Sequence, residues 1–133
     1  MTGPSWDKLR ARVEWLMYDK SLVHDDLVAS RQRIYRAPGM VEAIKHVLVM
    51  HTPETRRQYA LTPEGWASIK SPTLVLWTSH DPTAGVDVGE RLASCIPDAR
   101  LVVMQNCGHW PQFEDADTFN RIHTDFLRAT GSA

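Results

Sequence analysis

An aspartate and a histidine, Asp81 and His109, each follow a run of residues typical of a buried β-strand. Asp81 lies in the polar, turn-rich loop after Thr73–Trp77, and His109 lies in the loop after Arg100–Met104. Open α/β sheets place their chemistry at the carboxyl ends of their strands. A carboxylate that orients an imidazole there allows the imidazole to act as a general base. The alternative is that His109 is an ordinary hydrogen-bonding residue of a loop.

The elements around these two residues form a strand–helix–strand unit. Thr73–Trp77 shows no polar alternation, which predicts a strand buried on both faces, as in a parallel sheet. A helix predicted over about 86–95 connects it to the second strand, and such crossovers are right-handed. A final helix is predicted over 115–129, with four apolar residues facing the sheet: Phe119, Ile122, Phe126 and Leu127. We therefore predict an α/β fold in which residues 67–133 form a βαβα unit.

The first half of the chain has a helical pattern. A helix is predicted after Ser5, a plausible N-cap, and two more are predicted over about 25–35 and 40–50. The third of these is expected to turn four aliphatic residues inward: Val41, Ile44, Val47 and Leu48. The pattern is weaker over 51–71, where one or two helical turns are predicted. We therefore predict that residues 1–66 form a helical region and connector without a core of their own.

Composition excludes several classes of protein. The 133 residues carry a formal net charge of −1 and no basic stripe, which argues against a nucleic-acid partner. The longest apolar runs are far too short to cross a membrane, and no signal peptide is readable. The two cysteines, Cys95 and Cys107, have neither CxxC nor zinc spacing. We therefore expect a cytoplasmic protein with free thiols and no membrane partner.

A series of motifs resembles the meta-cleavage product hydrolases of the α/β-hydrolase superfamily. Those in the second half are Ser71–Trp77, Asp81, Ile96–Leu101, Cys107–Glu114, Phe119-Asn120 and Phe126-Leu127. Tyr18–Val23, Asp26-Leu27 and Arg31 resemble the helical lid of that family. These enzymes cleave a carbon–carbon bond in 2-hydroxy-6-oxo-dienoates formed by ring opening of catechols. The resemblance covers only the C-terminal half of a family member, so it implies a partial α/β-hydrolase fold, a helical lid followed by a βαβα unit with two parallel strands.

The resemblance implies roles for four residues. His109 would be the general base of a Ser-His-Asp triad and Asp81 its orienting carboxylate, at an interval of 28 residues that agrees with the family. Trp110 would line the substrate pocket. Arg31 would bind the carboxylate end of the dienoate through paired charge-assisted hydrogen bonds. The implied chemistry is a ketonisation followed by hydrolytic cleavage, with no metal or organic cofactor.

Departures from the family pattern put limits on this reading. No serine of the chain lies in the G-x-S-x-G nucleophile elbow, and the oxyanion-hole loop is also absent. We therefore predict that the chain alone does not cleave dienoates, since these groups act as a unit. Thr78 stands where the family usually has glycine, and His80 could compete for Asp81. Cys107 is a weak substitute nucleophile, because it lies two positions from His109 on the same loop.

Three functions remain open from the sequence. The chain is the lid and C-terminal portion of a carbon–carbon bond hydrolase, active only with the missing half. Alternatively, it is a non-catalytic remnant or interaction module that associates through the lid and the exposed edge of Thr73–Trp77, because two parallel strands do not make a stable sheet. The weakest hypothesis is a metal or redox function of His80, Asp81, His109 and Cys107, which lack the fixed spacing of a known site.

Overall fold

The computed structural model describes residues 3–49 and 52–131. The described residues form eight α-helices, one 3-10 helix (Lys20–Leu22) and two β-strands. In chain order, the elements are α1 (Trp6–Leu16), α2 (Asp25–Arg36), α3 (Met40–Val49), α4 (Pro53–Tyr59), α5 (Pro63–Ala67), β1 (Thr73–Thr78), α6 (Val86–Cys95), β2 (Ala99–Met104), α7 (Pro111–Glu114) and α8 (Ala116–Thr130).

The described residues divide into two compact units. The first unit takes those within 1–13 and 23–61, and the second takes those within 14–22 and 62–133. The sequence predicted a different division, between a helical region that ends at residue 66 and the βαβα unit that follows it. That division stays a prediction. The compact units differ from it mainly at 14–22, a segment that belongs with the second unit.

The first unit has a small core of aliphatic side chains, although the sequence predicted that the helical region has no core of its own. Four aliphatic side chains in it are at most 5% exposed: Leu9, Val13, Val23 and Val28. The Arg10 side chain donates to the Val23 carbonyl oxygen at 3.1 Å and pairs with Asp25, at the start of α2. Two acidic residues in the first turn of α2, Asp25 and Asp26, suit the positive end of its dipole.

Helix α3 has the predicted position but not the predicted burial. It packs against α2, and Val41 and Ile44 are half-buried. Val47 and Leu48 are 62% and 55% exposed, so the prediction that they face inward is wrong. Helical periodicity identifies an apolar face, but only a packed neighbour can bury it.

The second unit contains a parallel pair of strands. β1 and β2 pair in register from Thr73 with Ala99 to Thr78 with Met104. Helix α6 packs against both strands, as a crossover helix should. In β1 only Val75 and Thr78 are buried, although burial on both faces was predicted. A parallel strand is buried on both faces only where a layer of structure covers each of them.

The segment after β2 forms two helices, where the sequence predicted one. Pro111 occupies the first turn of α7, where its missing N–H costs no hydrogen bond. The Asp115 side chain accepts a hydrogen bond from the Thr118 N–H at 3.1 Å and begins α8. Phe119, Ile122 and Phe126 are half-buried, whereas Leu127 is 65% exposed, contrary to its predicted inward position. Throughout the described ranges, no helix combines the length and the apolar character needed to span a membrane.

Candidate active site

The loops that carry Asp81 and His109 leave the same end of the sheet. Because the strands are parallel and Thr78 pairs with Met104, β1 and β2 end side by side. The two loops that the sequence singled out therefore begin at the same edge of the sheet. The catalytic roles of Asp81 and His109 stay predictions.

Backbone hydrogen bonds join the two loops beyond the strands. The Ser79 N–H donates to the Met104 carbonyl at 2.9 Å, and the His80 N–H donates to the Cys107 carbonyl at 3.0 Å. The Asn106 N–H donates to Ser79 Oγ at 2.9 Å. Asn106 has a φ of 56°, a left-handed conformation that asparagine tolerates better than most residues. The loops therefore continue the sheet for about one residue pair and then turn together.

Asp81 and His109 form a direct hydrogen bond. Asp81 Oδ2 lies 2.8 Å from His109 Nδ1. The other oxygen, Oδ1, accepts from the Thr83 N–H at 2.8 Å and from the Thr83 hydroxyl at 2.6 Å. Thr83 therefore holds the second carboxylate oxygen, and its hydroxyl oxygen also lies 3.4 Å from His109 Nδ1. The sequence prediction missed this residue, although an aspartate followed two positions later by threonine is typical of such a turn.

The ionisation of Asp81 determines which nitrogen of His109 carries the proton. Partial burial raises the pKa of Asp81, but the hydrogen bonds from Thr83 and His109 outweigh it, and the pKa lies below the ordinary 3.8. Asp81 is thus an acceptor at neutral pH, so His109 Nδ1 must be the donor. In a neutral imidazole, this leaves the lone pair on Nε2, which is the atom that a general base uses.

His80 does not compete for Asp81. Its Nδ1 lies 2.7 Å from Ser79 Oγ, and its ring lies 4.3 Å from the ring of Tyr18, centre to centre. Within residues 3–49 and 52–131, no three side chains of the His, Cys, Asp or Glu types come together in a way that could hold a metal ion.

Cys107 has the environment of an unreactive thiol. It is 2% exposed. Burial raises its pKa, and the negative charges of Glu114 and Asp115 raise it further. Because the thiolate is the nucleophilic form of cysteine, these surroundings disfavour Cys107 as a nucleophile.

A cavity of about 130 Å³ opens beside the pair. Its lining consists of Leu76, Trp77, Thr78, Asp81, His109 and Pro111. Typical ligand pockets have roughly 300–1,000 Å³, so this cavity is smaller than a typical ligand pocket. Trp110 precedes α7 and is half-buried, but it is not part of this lining. Its role as a pocket residue stays a prediction.

Arg31 belongs to a different compact unit from the other predicted site residues. It lies in α2, in the first compact unit, and is half-buried. Asp81, His109 and Trp110 all belong to the second unit. The predicted role of Arg31 in binding a carboxylate therefore rests on the resemblance alone.

Comparison with known proteins identifies the fold family of the chain. A profile of the α/β-hydrolase fold matches residues 7–116. A 2-hydroxy-6-oxononadienedioate/2-hydroxy-6-oxononatrienedioate hydrolase of Comamonas testosteroni is 38% identical over 93% of this chain and 42% of its own length. A 2-hydroxy-6-oxo-6-phenylhexa-2,4-dienoate hydrolase of the same species is 37% identical over 94% of this chain and 43% of its own length.

Comparison with solved structures also finds meta-cleavage product hydrolases. A meta-cleavage product hydrolase of Pseudomonas fluorescens IP01, solved in complex with acetates, superposes with a TM-score of 0.83 at 29% identity. The match covers 95% of this chain and 46% of that one. The chain therefore spans less than half the length of the relatives it matches. It belongs to the α/β-hydrolase fold family, and within that family it resembles the meta-cleavage product hydrolases of aromatic degradation.

Proposed function

We propose that this chain supplies the general base and the orienting carboxylate of a hydrolase that cleaves carbon–carbon bonds in 2-hydroxy-6-oxo-dienoates. The observation that carries the proposal is the 2.8 Å contact between Asp81 Oδ2 and His109 Nδ1 at the carboxyl end of two parallel strands. The substrate class comes from the names of the similar enzymes.

In this proposal each residue has a defined task. His109 Nε2 takes a proton from the hydroxyl group that attacks the substrate, and the resulting imidazolium is stabilised by the ionised Asp81. Thr83 keeps the carboxylate directed at Nδ1 through its two hydrogen bonds. The attacking serine is not supplied by this sequence, which contains no G-x-S-x-G segment. It would come from a segment corresponding to the part of the relatives that this chain does not cover.

Arg31 and Trp110 have proposed roles in substrate binding. A guanidinium matches a carboxylate in shape and charge, so Arg31 would hold the carboxylate end of the dienoate. Trp110, next to the general base in sequence, would contact the rest of the substrate. In a fusion that restores the missing N-terminal part, we expect Arg31→Lys to raise the KM for the dienoate more than it lowers kcat, because lysine retains the charge but loses the paired geometry.

The test of this proposal is an activity assay on a fusion protein. The N-terminal part of the Comamonas testosteroni dienedioate hydrolase, up to the point where its similarity to this chain begins, is joined to this chain. Turnover of the relative's dienedioate and of a phenyl-substituted dienoate is followed, with a nitrophenyl ester as a general hydrolase substrate. Turnover of a dienoate supports the proposed class. Turnover of the ester without either dienoate would show that the hydrolase assignment holds but the substrate class is wrong.

A second candidate function is association through the edge of β1. In the part of the chain that the structure describes, the sheet has two strands, so one edge of β1 lacks a neighbouring strand. Unpaired strand edges favour pairing with another chain. We propose that the chain associates with a second copy or with another hydrolase through Thr73–Trp77. The test is the mass of the purified chain in solution, with Leu74→Lys at the edge and Leu127→Lys on the exposed side of α8 as its control. A monomer at all concentrations would contradict self-association.

A further inference from the structure

Glu114, the last residue of α7, gathers three backbone N–H groups around one carboxylate. Its Oε1 accepts from the Gly108 N–H at 2.8 Å. Its Oε2 accepts from the Tyr18 N–H at 2.7 Å and from the Asp19 N–H at 3.3 Å. All of these residues belong to the second compact unit. The carboxylate therefore connects the loop that carries His109 to the segment that follows α1.

His109, the residue after Gly108, is hydrogen-bonded to the end of α1, next to the segment that Glu114 contacts. The His109 N–H donates to the Leu16 carbonyl oxygen at 2.7 Å. Leu16 is the last residue of α1, and a carbonyl there has no partner within its own helix. On the other side, the Cys107 carbonyl accepts from the His80 N–H at 3.0 Å. Three successive residues, 107–109, are thus fixed by hydrogen bonds to three different segments.

Close packing makes this arrangement specific to glycine at position 108. A Cβ atom on Gly108 would lie 2.4 Å from the Leu16 carbonyl oxygen and 2.7 Å from the Tyr18 backbone nitrogen. Both of these are backbone atoms, which cannot rotate away. The loop can approach the end of α1 this closely only because residue 108 has no side chain.

The three N–H groups that donate to Glu114 differ in whether water can replace the carboxylate as their acceptor. Tyr18 and Asp19 are exposed, so water can accept from their N–H groups. Gly108 is buried, and a buried N–H without a partner is costly enough to move the backbone. Of the three bonds of Glu114, the one from Gly108 therefore constrains the position of the loop that carries His109 most.

We propose that Glu114 is a positioning residue for His109, and that its carboxylate holds the 107–109 backbone where His109 Nδ1 meets Asp81. This inference rests on the proposed function, since it matters for catalysis only if His109 is the base. Glu114 touches neither the imidazole nor Asp81 in the hydrogen bonds above, and it acts through the peptide between Gly108 and His109.

The experiment measures the protonation of the imidazole nitrogens directly. Long-range proton–nitrogen NMR spectra of the full chain at neutral pH report which ring nitrogen carries the proton, and His109→Asn assigns the signal among the six histidines. The variants are Glu114→Ala, Glu114→Gln and Asp81→Asn. Glutamine has the shape of glutamate but only one acceptor oxygen, so it cannot serve both Gly108 and Tyr18. Glu90→Gln, on an exposed position of α6, removes one charge from the same unit as the matched control.

We expect the wild-type chain and Glu90→Gln to carry the His109 proton on Nδ1. In Asp81→Asn, the NMR signal of a proton on His109 Nδ1 is lost. In both Glu114 variants, the His109 signal shifts towards the one seen in Asp81→Asn. Folded Glu114 variants with the wild-type His109 signal would overturn this inference alone, provided that Asp81→Asn has moved the signal. An unchanged signal in Asp81→Asn would overturn the Asp81–His109 pair itself, and with it the proposed function. If Glu114→Ala does not fold, Glu114→Gln decides by the same criteria.

Discussion

At the scale of single residues, the site is organised by a carboxylate whose two oxygens have different tasks. One oxygen of Asp81 meets the His109 ring, and the other is fully engaged by Thr83. Because Thr83 donates both a backbone and a side-chain proton, Asp81 stays ionised in partly buried surroundings. An ionised Asp81 in turn fixes the tautomer of His109. The chemistry proposed for the imidazole thus depends on Thr83 through its two hydrogen bonds to Asp81.

The ionisation of Asp81 predicts how stability depends on pH. Its folded-state pKa lies below the ordinary value of 3.8, so the ionised side chain stabilises the fold above that value. The contribution decreases as the pH falls towards the folded-state pKa. We expect the difference in unfolding free energy between wild type and Asp81→Asn to shrink on acidification. Urea unfolding at a series of pH values measures it, and a difference independent of pH would contradict the hydrogen-bonded, ionised Asp81.

Thr83 provides the matched test of the same interaction. Thr83→Val removes the hydroxyl that lies 2.6 Å from Asp81, so the pKa of Asp81 should rise towards its ordinary value. Thr83→Ser keeps the hydroxyl and should leave the pKa near that of the wild type. Carboxyl-carbon NMR titration of both variants measures the pKa. The account would be wrong if valine and serine gave the same value.

The two cysteines should differ in their reaction with iodoacetamide. Cys107 is buried and has a raised pKa, whereas Cys95 is only half-buried. Because alkylation needs an accessible thiolate, we expect Cys95 to be labelled first and Cys107 to react only on the timescale of unfolding. Peptide mass spectrometry after timed labelling measures both rates. Labelling of Cys107 as fast as a free thiol would reopen its candidacy as a nucleophile.

At the scale of elements, backbone spacing decides which changes the site tolerates. A Cβ atom on Gly108 would meet backbone atoms of Leu16 and Tyr18, whereas one on Gly89 in α6 would meet the ring of Trp77 at 2.9 Å. A side-chain ring can shift, but two backbone groups cannot do so without moving a helix end. The surroundings of Gly108 are therefore more rigid than those of Gly89.

These contacts predict unequal costs of adding a methyl group. Overpacking usually costs about 1–3 kcal/mol. We expect Gly108→Ala to lower the free energy of unfolding by about 3 kcal/mol or more, because the added methyl group meets backbone atoms. Gly89→Ala gains about 1 kcal/mol of helix propensity, which offsets part of its overpacking. Urea unfolding of the two variants measures the difference. A smaller loss for Gly108→Ala than for Gly89→Ala would contradict the described packing.

The elements show where sequence reasoning succeeds and where it stops. The two strands and α6 were predicted well, because apolar runs and turn residues bound them clearly, whereas the short helix α7 beside the site was not predicted. The pair Asp81 and His109 followed from the rule that parallel strands end at one edge. Glu114 was seen only as part of a motif, since no local pattern indicates that a carboxylate will meet N–H groups 95 and 96 residues away. The exposure of Val47 likewise depends on which neighbours pack against α3.

At the scale of the whole molecule, the chain covers about two fifths of the length of its curated relatives. The loops after its two strands carry Asp81 and His109, the proposed carboxylate and base, and its sequence contains no nucleophile elbow. Triad members and oxyanion donors act as a unit, so two of the parts retain little of the rate enhancement.

We therefore expect the pure chain to show no turnover of 2-hydroxy-6-oxo-dienoates. Loss of the dienoate absorbance, followed at high protein concentration, measures this. The matched control is His109→Ala, which removes the proposed base. Substantial turnover by the wild-type chain that disappears in this variant would show that a nucleophile has been overlooked.

The most direct test of the central claim is the kcat of the fusion protein with and without the imidazole. We expect dienoate turnover by the fusion that carries His109 and Asp81. We expect His109→Ala to lower kcat by at least about 10³-fold, as when a triad base is removed. A fusion whose kcat is unchanged by His109→Ala would contradict the assignment of His109 as the base, whatever its contact with Asp81.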